Sequence, residues 1–213
     1  MTTSDDGATR LVFDGHIAGF GTAEGTWVVV GRWLASPLGA FADVMVERAD
    51  GTRLLLAPRD DVADLVAATY VFDAVHVVPV GLRPDAARRR WRLRAGPLTA
   101  DLTIGARTGI GHLLALLPPH PLVATAVDPA ARVLLDGVRT RGTAGRGRRE
   151  WYSATDQHEI TAVRALWGSQ DLGPVAPVVP PVRFGFSSVP AAPSVTRVRT
   201  TVEMSAGRSA RGH

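Results

Sequence analysis

The chain has 213 residues and a formal net charge of +4, and its 24 basic residues are all arginine. Because it contains neither lysine nor cysteine, it cannot use Schiff-base chemistry, a phosphate-loop lysine, a thiolate nucleophile, a disulfide or a thiolate metal site. Hydrophobic residues make up 46% of the chain, enough for one domain with a substantial core. We therefore predict a single α+β domain over residues 9–203, with disordered tails at 1–8 and 204–213.

The charge is unevenly distributed along the chain. Residues 1–80 hold five arginines and eleven acids, whereas residues 81–150 hold thirteen arginines and five acids. If the fold keeps these segments apart, the resulting dipole could steer an anionic ligand or pair subunits head to tail in a homo-oligomer. If the strands interleave the segments, the charges cancel locally.

The first ten residues are polar and acidic, without the features of a signal peptide. No apolar run approaches the roughly 18–20 residues that span a bilayer. The sequence therefore predicts no membrane span and a cytoplasmic location, with which the lack of cysteine agrees.

The first half of the chain indicates mainly strands. Alternation predicts a half-buried strand over 11–18, and the Val28-Val29-Val30 run predicts a second strand, over 26–33, buried on both faces. Strands over 41–47 and 53–57 flank Asp50-Gly51, a strong signal for a tight hairpin turn. Helical spacing then predicts an amphipathic helix over 61–70, with Asp60 as its N-cap.

Further along, the apolar run 72–80 predicts a central strand, and a hairpin is predicted around Gly96. Helical spacing returns over 109–117, and Asp128-Pro129 is typical of the start of a short helix. The last predicted strands cover 138–143, 148–156, 159–167 and 195–202. These elements predict an α+β fold: a large curved antiparallel sheet or incomplete β-barrel with two or three covering helices.

The segment 139–152 is rich in arginine and ends in an aromatic pair. In a functional interpretation, Arg139, Arg141 and Arg149 converge on an anion at a hairpin tip and Trp151 offers a stacking face. In the alternative interpretation the segment is a charged hairpin loop whose arginines protect the sheet from edge pairing.

The densest titratable cluster lies just beyond it, in Tyr152, Asp156 and His158. Asp156 could orient His158, with Tyr152 as a second proton donor, which makes these three the candidate catalytic residues. The alternative is that Asp156-Gln157 forms an ordinary turn between two strands and leaves these side chains solvated.

No cofactor or metal is predicted. The six histidines lack metal-ligand spacing, and the chain has no dinucleotide fingerprint and no nucleophile elbow. His76, within an apolar strand pattern, is interpreted as a packed core histidine. No predicted helix has a basic face suited to a DNA groove. A small ligand is therefore predicted as the partner in preference to nucleic acid.

Three runs resemble small conserved proteins from high-GC actinobacteria: residues 36–47, 147–152 and 182–186. The resemblance implies a source and a shared fold. That group has no assigned activity, so it implies no mechanism.

The sequence leaves three hypotheses. The first is a binding protein that holds a small, partly apolar, anionic molecule inside the curved sheet, with the 139–152 segment at its mouth. The second is a cofactor-independent enzyme that uses His158 with Asp156 or Tyr152. The third is an arginine-mediated binder of nucleic acid or phosphate.

Overall fold

The structure, a computed structural model, describes residues 2–3, 9–116, 141–144, 148–185 and 189–204, with side chains over 11–116, 153–185 and 189–201. Within these residues there are two helices, α1 (Asp60–Ala67) and α2 (Gly109–Leu116). The strands, in chain order, are β1 (Thr2–Thr3), β2 (Thr9–Thr22), β3 (Trp27–Ala35), β4 (Phe41–Glu47), β5 (Arg53–Ala57), β6 (Ala74–Val77), β7 (Val80–Asp85), β8 (Arg90–Ala95), β9 (Leu98–Arg107), β10 (Arg141–Ala144), β11 (Arg148–Trp167), β12 (Gln170–Asp171), β13 (Val175–Ala176) and β14 (Ser194–Met204).

All the strands belong to one curled sheet. Its main path runs β6-β5-β4-β3-β2-β14-β11-β9-β8-β7, and the remaining strands pair at its sides. Every pairing is antiparallel except β5 with β6. The terminal strands β6 and β7 are joined by only Val78 and Pro79, so the two ends of the path lie close together. The curved, largely antiparallel sheet predicted from the sequence is confirmed as a half-barrel, with two short helices.

The curl gives the sheet an inner and an outer face, each with its own core. The inner core joins apolar side chains from both ends of the strand path, including Val28 and Val30 of β3 and Leu93 of β8. The outer core contains Val29 and is covered by α1 and by the extended segment around Val182. The prediction that the Val28–Val30 run is buried on both faces is therefore confirmed.

Two buried carboxylates lie on the outer face. Glu47, whose side chain is 2% exposed, pairs with Arg183 at 2.6 Å between Oε1 and Nη2 and also accepts the Arg183 backbone N–H. Asp43 accepts a 3.0 Å hydrogen bond from Trp33 Nε1. Burial raises the pKa of Asp43 to about 7, although the hydrogen bond from Trp33 acts in the opposite direction.

Local turn signals locate the hairpins correctly. β4 and β5 pair around Asp50-Gly51, and Gly51 has a positive φ of 85°. The β8–β9 hairpin turns at Gly96, also at positive φ, with Trp91 facing inward and Arg92 outward. α1 begins one residue before its predicted start, with Arg59 rather than Asp60 as the N-cap.

The central strand predicted over 72–80 is wrong. The segment forms two elements, β6 and β7, at opposite ends of the strand path. Within the part of the chain that the structure describes, β6 pairs only with β5, and in parallel. Since α1 carries the chain from β5 back to the start of β6, β5-α1-β6 is a parallel crossover unit at a sheet edge. His76 on this edge strand is exposed rather than packed in a core.

The predicted turn at Asp156-Gln157 is also wrong. β11 continues through it as one long strand, and the extra residues are absorbed by irregularities in its pairing with β14 and β9. Such β-bulges change the direction of side chains without ending a strand.

Within the described ranges, no helix is long and apolar enough to cross a membrane.

Candidate functional site

A cavity of about 380 Å³ opens at one end of the inner face. Six strands and the β7–β8 turn contribute to its wall. Apolar side chains supply much of the lining, and titratable residues surround them. The lining residues that carry the argument are His16, Arg89, Trp91, Asp156, His158 and Arg197.

Strand register arranges the polar residues in a row across the sheet. Arg32 of β3 lies opposite His16 of β2, His16 lies opposite Arg197 of β14, and Arg197 lies opposite Asp156 of β11. Because directly opposed residues point to the same face, the four side chains are neighbours, with Cβ atoms about 5 Å apart from strand to strand. We call Arg32, His16, Arg197 and Asp156 the polar row.

Two residues further along the strands, the next row toward the inner core is apolar on three strands. Val30, Ala18 and Val195 lie opposite one another there, and all three belong to the inner core. The inner face therefore changes within one side-chain spacing from a dry core to a charged rim. A ligand that spans this boundary would need an apolar body and a polar end.

His16 is the most perturbed titratable group of the cavity. Burial, reinforced by the charges of Arg197 and Arg32, lowers the pKa of His16 to about 4. The imidazole packs edge-on against Trp91, with ring centroids 5.7 Å apart, and its Nδ1 is buried without a hydrogen-bond partner among the described residues. His16 is therefore a neutral histidine at pH 7, held between two guanidinium groups.

Arg32 lies half-buried beside this histidine. Its guanidinium carbon is 5.8 Å from the centroid of the Trp91 ring, a cation–π distance. Burial, together with the charge of Arg197, lowers the pKa of Arg32. No carboxylate in the described part of the chain pairs with Arg32, so its charge is available to an anion.

The two carboxylates that line the cavity already have arginine partners outside its lining. Asp85 accepts from Arg88 at 3.0 Å, and Asp156 accepts two hydrogen bonds from Arg107, at 2.8 and 3.0 Å. Partial burial favours a higher pKa for Asp156, but the hydrogen bonds from Arg107 and from the Gln157 N–H outweigh it and lower that pKa. The cavity acids therefore remain charged while offering little to a cationic ligand.

Arg89 adds a further cation at the β7–β8 turn. It has a positive φ of 51°, which is rare for a residue with a side chain, and its Nε donates to the Ile104 carbonyl at 3.0 Å. Within the described residues, no carboxylate pairs with it. Backbone strain of this kind is often found where a turn places a functional side chain.

A second cavity, of about 410 Å³, adjoins the first and shares Asp156 and Arg197 with it. Asp14 lies in its wall and accepts from Arg197 at 2.6 Å, with Arg199 at 3.4 Å on its other oxygen. Arg197 thus separates the two cavities and is already partly neutralised by Asp14.

The structure brings together two of the predicted catalytic residues. His158 Nε2 lies 3.5 Å from Asp156 Oδ2, and His158 Nδ1 lies 3.4 Å from the Gly105 carbonyl oxygen. Both ring nitrogens therefore face acceptors, and the contact with Asp156 competes with the two shorter bonds from Arg107. In this arrangement neither nitrogen presents a lone pair to a substrate in the cavity.

Helix α2 holds this part of β11 in place. Thr108, just before α2, donates from its hydroxyl to Gln157 Oε1 at 2.8 Å and accepts the Gly111 N–H at 2.9 Å. Gly111 is required there, since a Cβ would lie 2.2 Å from the Gln157 carbonyl oxygen. The helix thereby fixes Arg107 next to Asp156.

Two of the predicted ligand-binding arginines, Arg141 and Arg149, lie elsewhere along the sheet. Arg141 pairs with Trp151 in the β10–β11 hairpin, which confirms the hairpin. Arg149 is seven strand positions before Asp156, roughly 20 Å of extended backbone. Arg139 lies outside the described residues, and the side chains of the others do too, so their role at the mouth stays a prediction.

Tyr152, the third predicted catalytic residue, is six positions before His158 on β11, again roughly 20 Å of extended chain. Its backbone lies opposite Thr200. Only its backbone is described, and its catalytic role likewise stays a prediction.

One site that contains His16, Arg32, Arg89 and Arg197 was not predicted from the sequence. The signal that indicates it is a titratable residue that interrupts an apolar period. His16 precedes Ala18 and Phe20, and Arg32 follows Val28 and Val30, each two positions along the same face. An inward-facing charge at the end of an apolar period indicates a rim.

Across the described ranges, no group of three or more histidines and acids is placed to hold a metal ion.

No family model and no curated protein matches the chain. It is similar to a crystal structure of a "putative AttH" from Nitrosomonas europaea, at 12% identity with a TM-score of 0.26. The match covers 95% of this chain and 53% of that one, so the chain spans about half the length of that protein.

Proposed function

We propose that the protein binds a small, partly apolar anion in the 380 Å³ cavity, with the anionic group at the polar row and the apolar body toward the inner core. The observation that carries this proposal is Arg32. It is a half-buried guanidinium that has no carboxylate partner in the described part of the chain. It is not itself a lining residue, but it lies over Trp91 and opposite His16, which both line the cavity.

Charge matching supports the sign of the ligand. Asp85 and Asp156 are paired with Arg88 and Arg107. The local potential is therefore set by cations without an acidic partner among the described residues, which are Arg89 and Arg90 of the lining and the neighbouring Arg32. A buried guanidinium beside an apolar surface binds carboxylate, sulfonate or phosphate groups, and its planar fork favours those that accept two hydrogen bonds.

A pair of fluorescent probes tests the proposal. 8-Anilino-1-naphthalenesulfonate is apolar with one anionic group, and N-phenyl-1-naphthylamine has the same rings without the sulfonate. We expect the wild-type protein to bind the sulfonate more tightly than the neutral amine. The Arg32→Gln variant should lose about tenfold in sulfonate affinity, the scale of one charged hydrogen bond, and keep its affinity for the amine.

Arg92→Gln is the matched control, because Arg92 is on β8 next to Trp91 but faces outward and is exposed. It should bind both probes as the wild type does. Equal binding of the two probes by the wild type, or an equal loss of sulfonate affinity in both variants, would contradict the proposal.

An acid–base enzyme at the same cavity is the second candidate, favoured by the proximity of His158 to Asp156. It requires His158 to turn away from one of its two acceptors. A His158→Ala variant that abolished turnover of a bound compound without weakening its binding would support it.

A further inference from the structure

His16 lies at the centre of the polar row, between two cations on neighbouring strands. Arg32 faces it from β3 and Arg197 from β14, while Trp91 of β8 packs against its ring. The nearby acids are Asp14 on its own strand and Asp156 on β11. Each acid is engaged by an arginine other than Arg32, so neither neutralises that side of the row.

An anion that reached both guanidinium groups would have to lie against His16. Neighbouring strands are about 4.8 Å apart, so Arg32 and Arg197 are separated by roughly 10 Å of sheet with only His16 between them. The same two arginines contribute to keeping the free imidazole neutral. A negative charge placed there offsets their repulsion and favours the charged form of the ring.

We propose that His16 takes up one proton from solvent when the anion binds, so that this site accepts an anion and a proton together. The proposal rests on the proposed function of the cavity. It assigns to His16, the histidine of β2, a role in affinity. His158 faces the Asp156 carboxylate and a carbonyl oxygen in the free protein, so a bound anion changes its surroundings less.

The direction of the pH dependence follows from linkage. The complex holds the proton more tightly than the free protein does, so affinity is highest at low pH and falls as the pH rises through the pKa of His16 in the complex. In the free protein that pKa is about 4. A nearby opposite charge raises a histidine pKa by about one to three units, so the fall in affinity should begin near pH 4 and end between about pH 5 and pH 7.

The test is a titration with 8-anilino-1-naphthalenesulfonate at pH 5, 6, 7 and 8, over which the sulfonate stays ionised. We expect wild-type affinity to fall about tenfold from pH 5 to pH 8. Calorimetry in buffers of different ionisation enthalpy should show net proton uptake at pH 5 to 6. His16→Gln should flatten the pH profile, and the matched variant His158→Gln should keep it.

Histidine ring resonances of the wild-type protein supply a second measurement that needs no folded variant. On addition of the sulfonate at pH 5.5, the His16 ring should shift toward its protonated form. A flat wild-type profile with clear sulfonate binding would overturn the role of His16 and leave the proposed function standing. A pH profile that is abolished by His158→Gln and kept by His16→Gln would show that His158 takes up the proton, and it would overturn the role proposed for His16. Absence of preference for the sulfonate over the neutral amine at every pH would overturn both proposals.

Discussion

Two sets of ionisable groups, one on each face of the curled sheet, differ in whether they have partners within the chain. On the outer face, Glu47 is paired with Arg183, and Asp43 is held by the Trp33 indole. On the inner face, His16 and Arg32 have no acidic partner and no hydrogen bond to the rest of the described chain. Groups with an intramolecular partner contribute to the stability of the fold. Burying a group without a partner costs free energy, and a bound ligand can supply the missing interaction.

The same contrast separates substitutions that should alter stability from those that should alter binding. Changes on the outer face should act on the free energy of unfolding. Changes at Arg32 and His16, the members of the polar row without an acidic partner in the described chain, should act on affinity and leave unfolding nearly unchanged.

Asp43→Asn should give the largest effect, and it should depend on pH. The pKa of Asp43 is raised to about 7 in the folded protein, so the folded state binds this proton more tightly than the unfolded state, and stability is lost as the pH rises from about 4 through about 7. Asparagine keeps an oxygen for the Trp33 indole but never ionises. We expect the variant to match the wild type near pH 4 and to exceed it by something on the order of 4 kcal/mol at pH 8.

Urea unfolding at pH 4, 6 and 8 measures this difference. Stability curves for the two proteins that ran parallel across the whole range would show that Asp43 does not titrate on unfolding as described.

Glu47→Gln should follow, with a loss of about 2 kcal/mol in the free energy of unfolding. Removing one member of a buried ion pair costs about 3–5 kcal/mol, but the Arg183 side chain is 64% exposed and can be hydrated again. The control is Asp101→Asn, which removes the exposed partner of Arg92, 3.7 Å away. An exposed pair of this kind contributes less than about 0.5 kcal/mol to the free energy of unfolding. Equal losses in the two variants would contradict the prediction that the Glu47–Arg183 pair contributes more than an exposed pair.

Arg32→Gln should change stability least among the buried positions, by less than about 1 kcal/mol, because no carboxylate is left unpaired when the guanidinium is removed. Urea unfolding without ligand checks this value. A loss above 2 kcal/mol would show that Arg32 belongs to the fold, as Glu47 does, and would weaken its assignment to a ligand.

Much of the fold could be predicted where the decisive signal is local. The Asp50-Gly51 turn and the flanking alternation located the β4–β5 hairpin, and the inward side of β8 followed from the spacing of Trp91 and Leu93. The separation of β6 from β7 could not be predicted, since an apolar run does not show which strands its residues pair with. The continuity of β11 through Asp156 depends on bulges opposite β9 and β14, which only the partner strands define.

The candidate site was predicted only where its members are near in sequence. Asp156 and His158 are two residues apart, and their proximity followed from the sequence alone. His16, Arg32 and Arg197 lie on three strands, and it is the register of β2 with β3 and β14 that makes them neighbours. The arginine-rich segment 139–152 was predicted to bind an anion because of its composition. Composition carries no information about strand register.

The most direct test of the anion site is a crystal structure of the protein with 8-anilino-1-naphthalenesulfonate. We predict that the sulfonate lies within hydrogen-bonding distance of Arg32 or Arg197, against His16, with the rings directed toward Val30 and Val195 of the inner core. A sulfonate bound at the 139–152 segment, with the 380 Å³ cavity empty of probe, would instead show that the arginine-rich segment is the binding surface and that the proposed site is wrong.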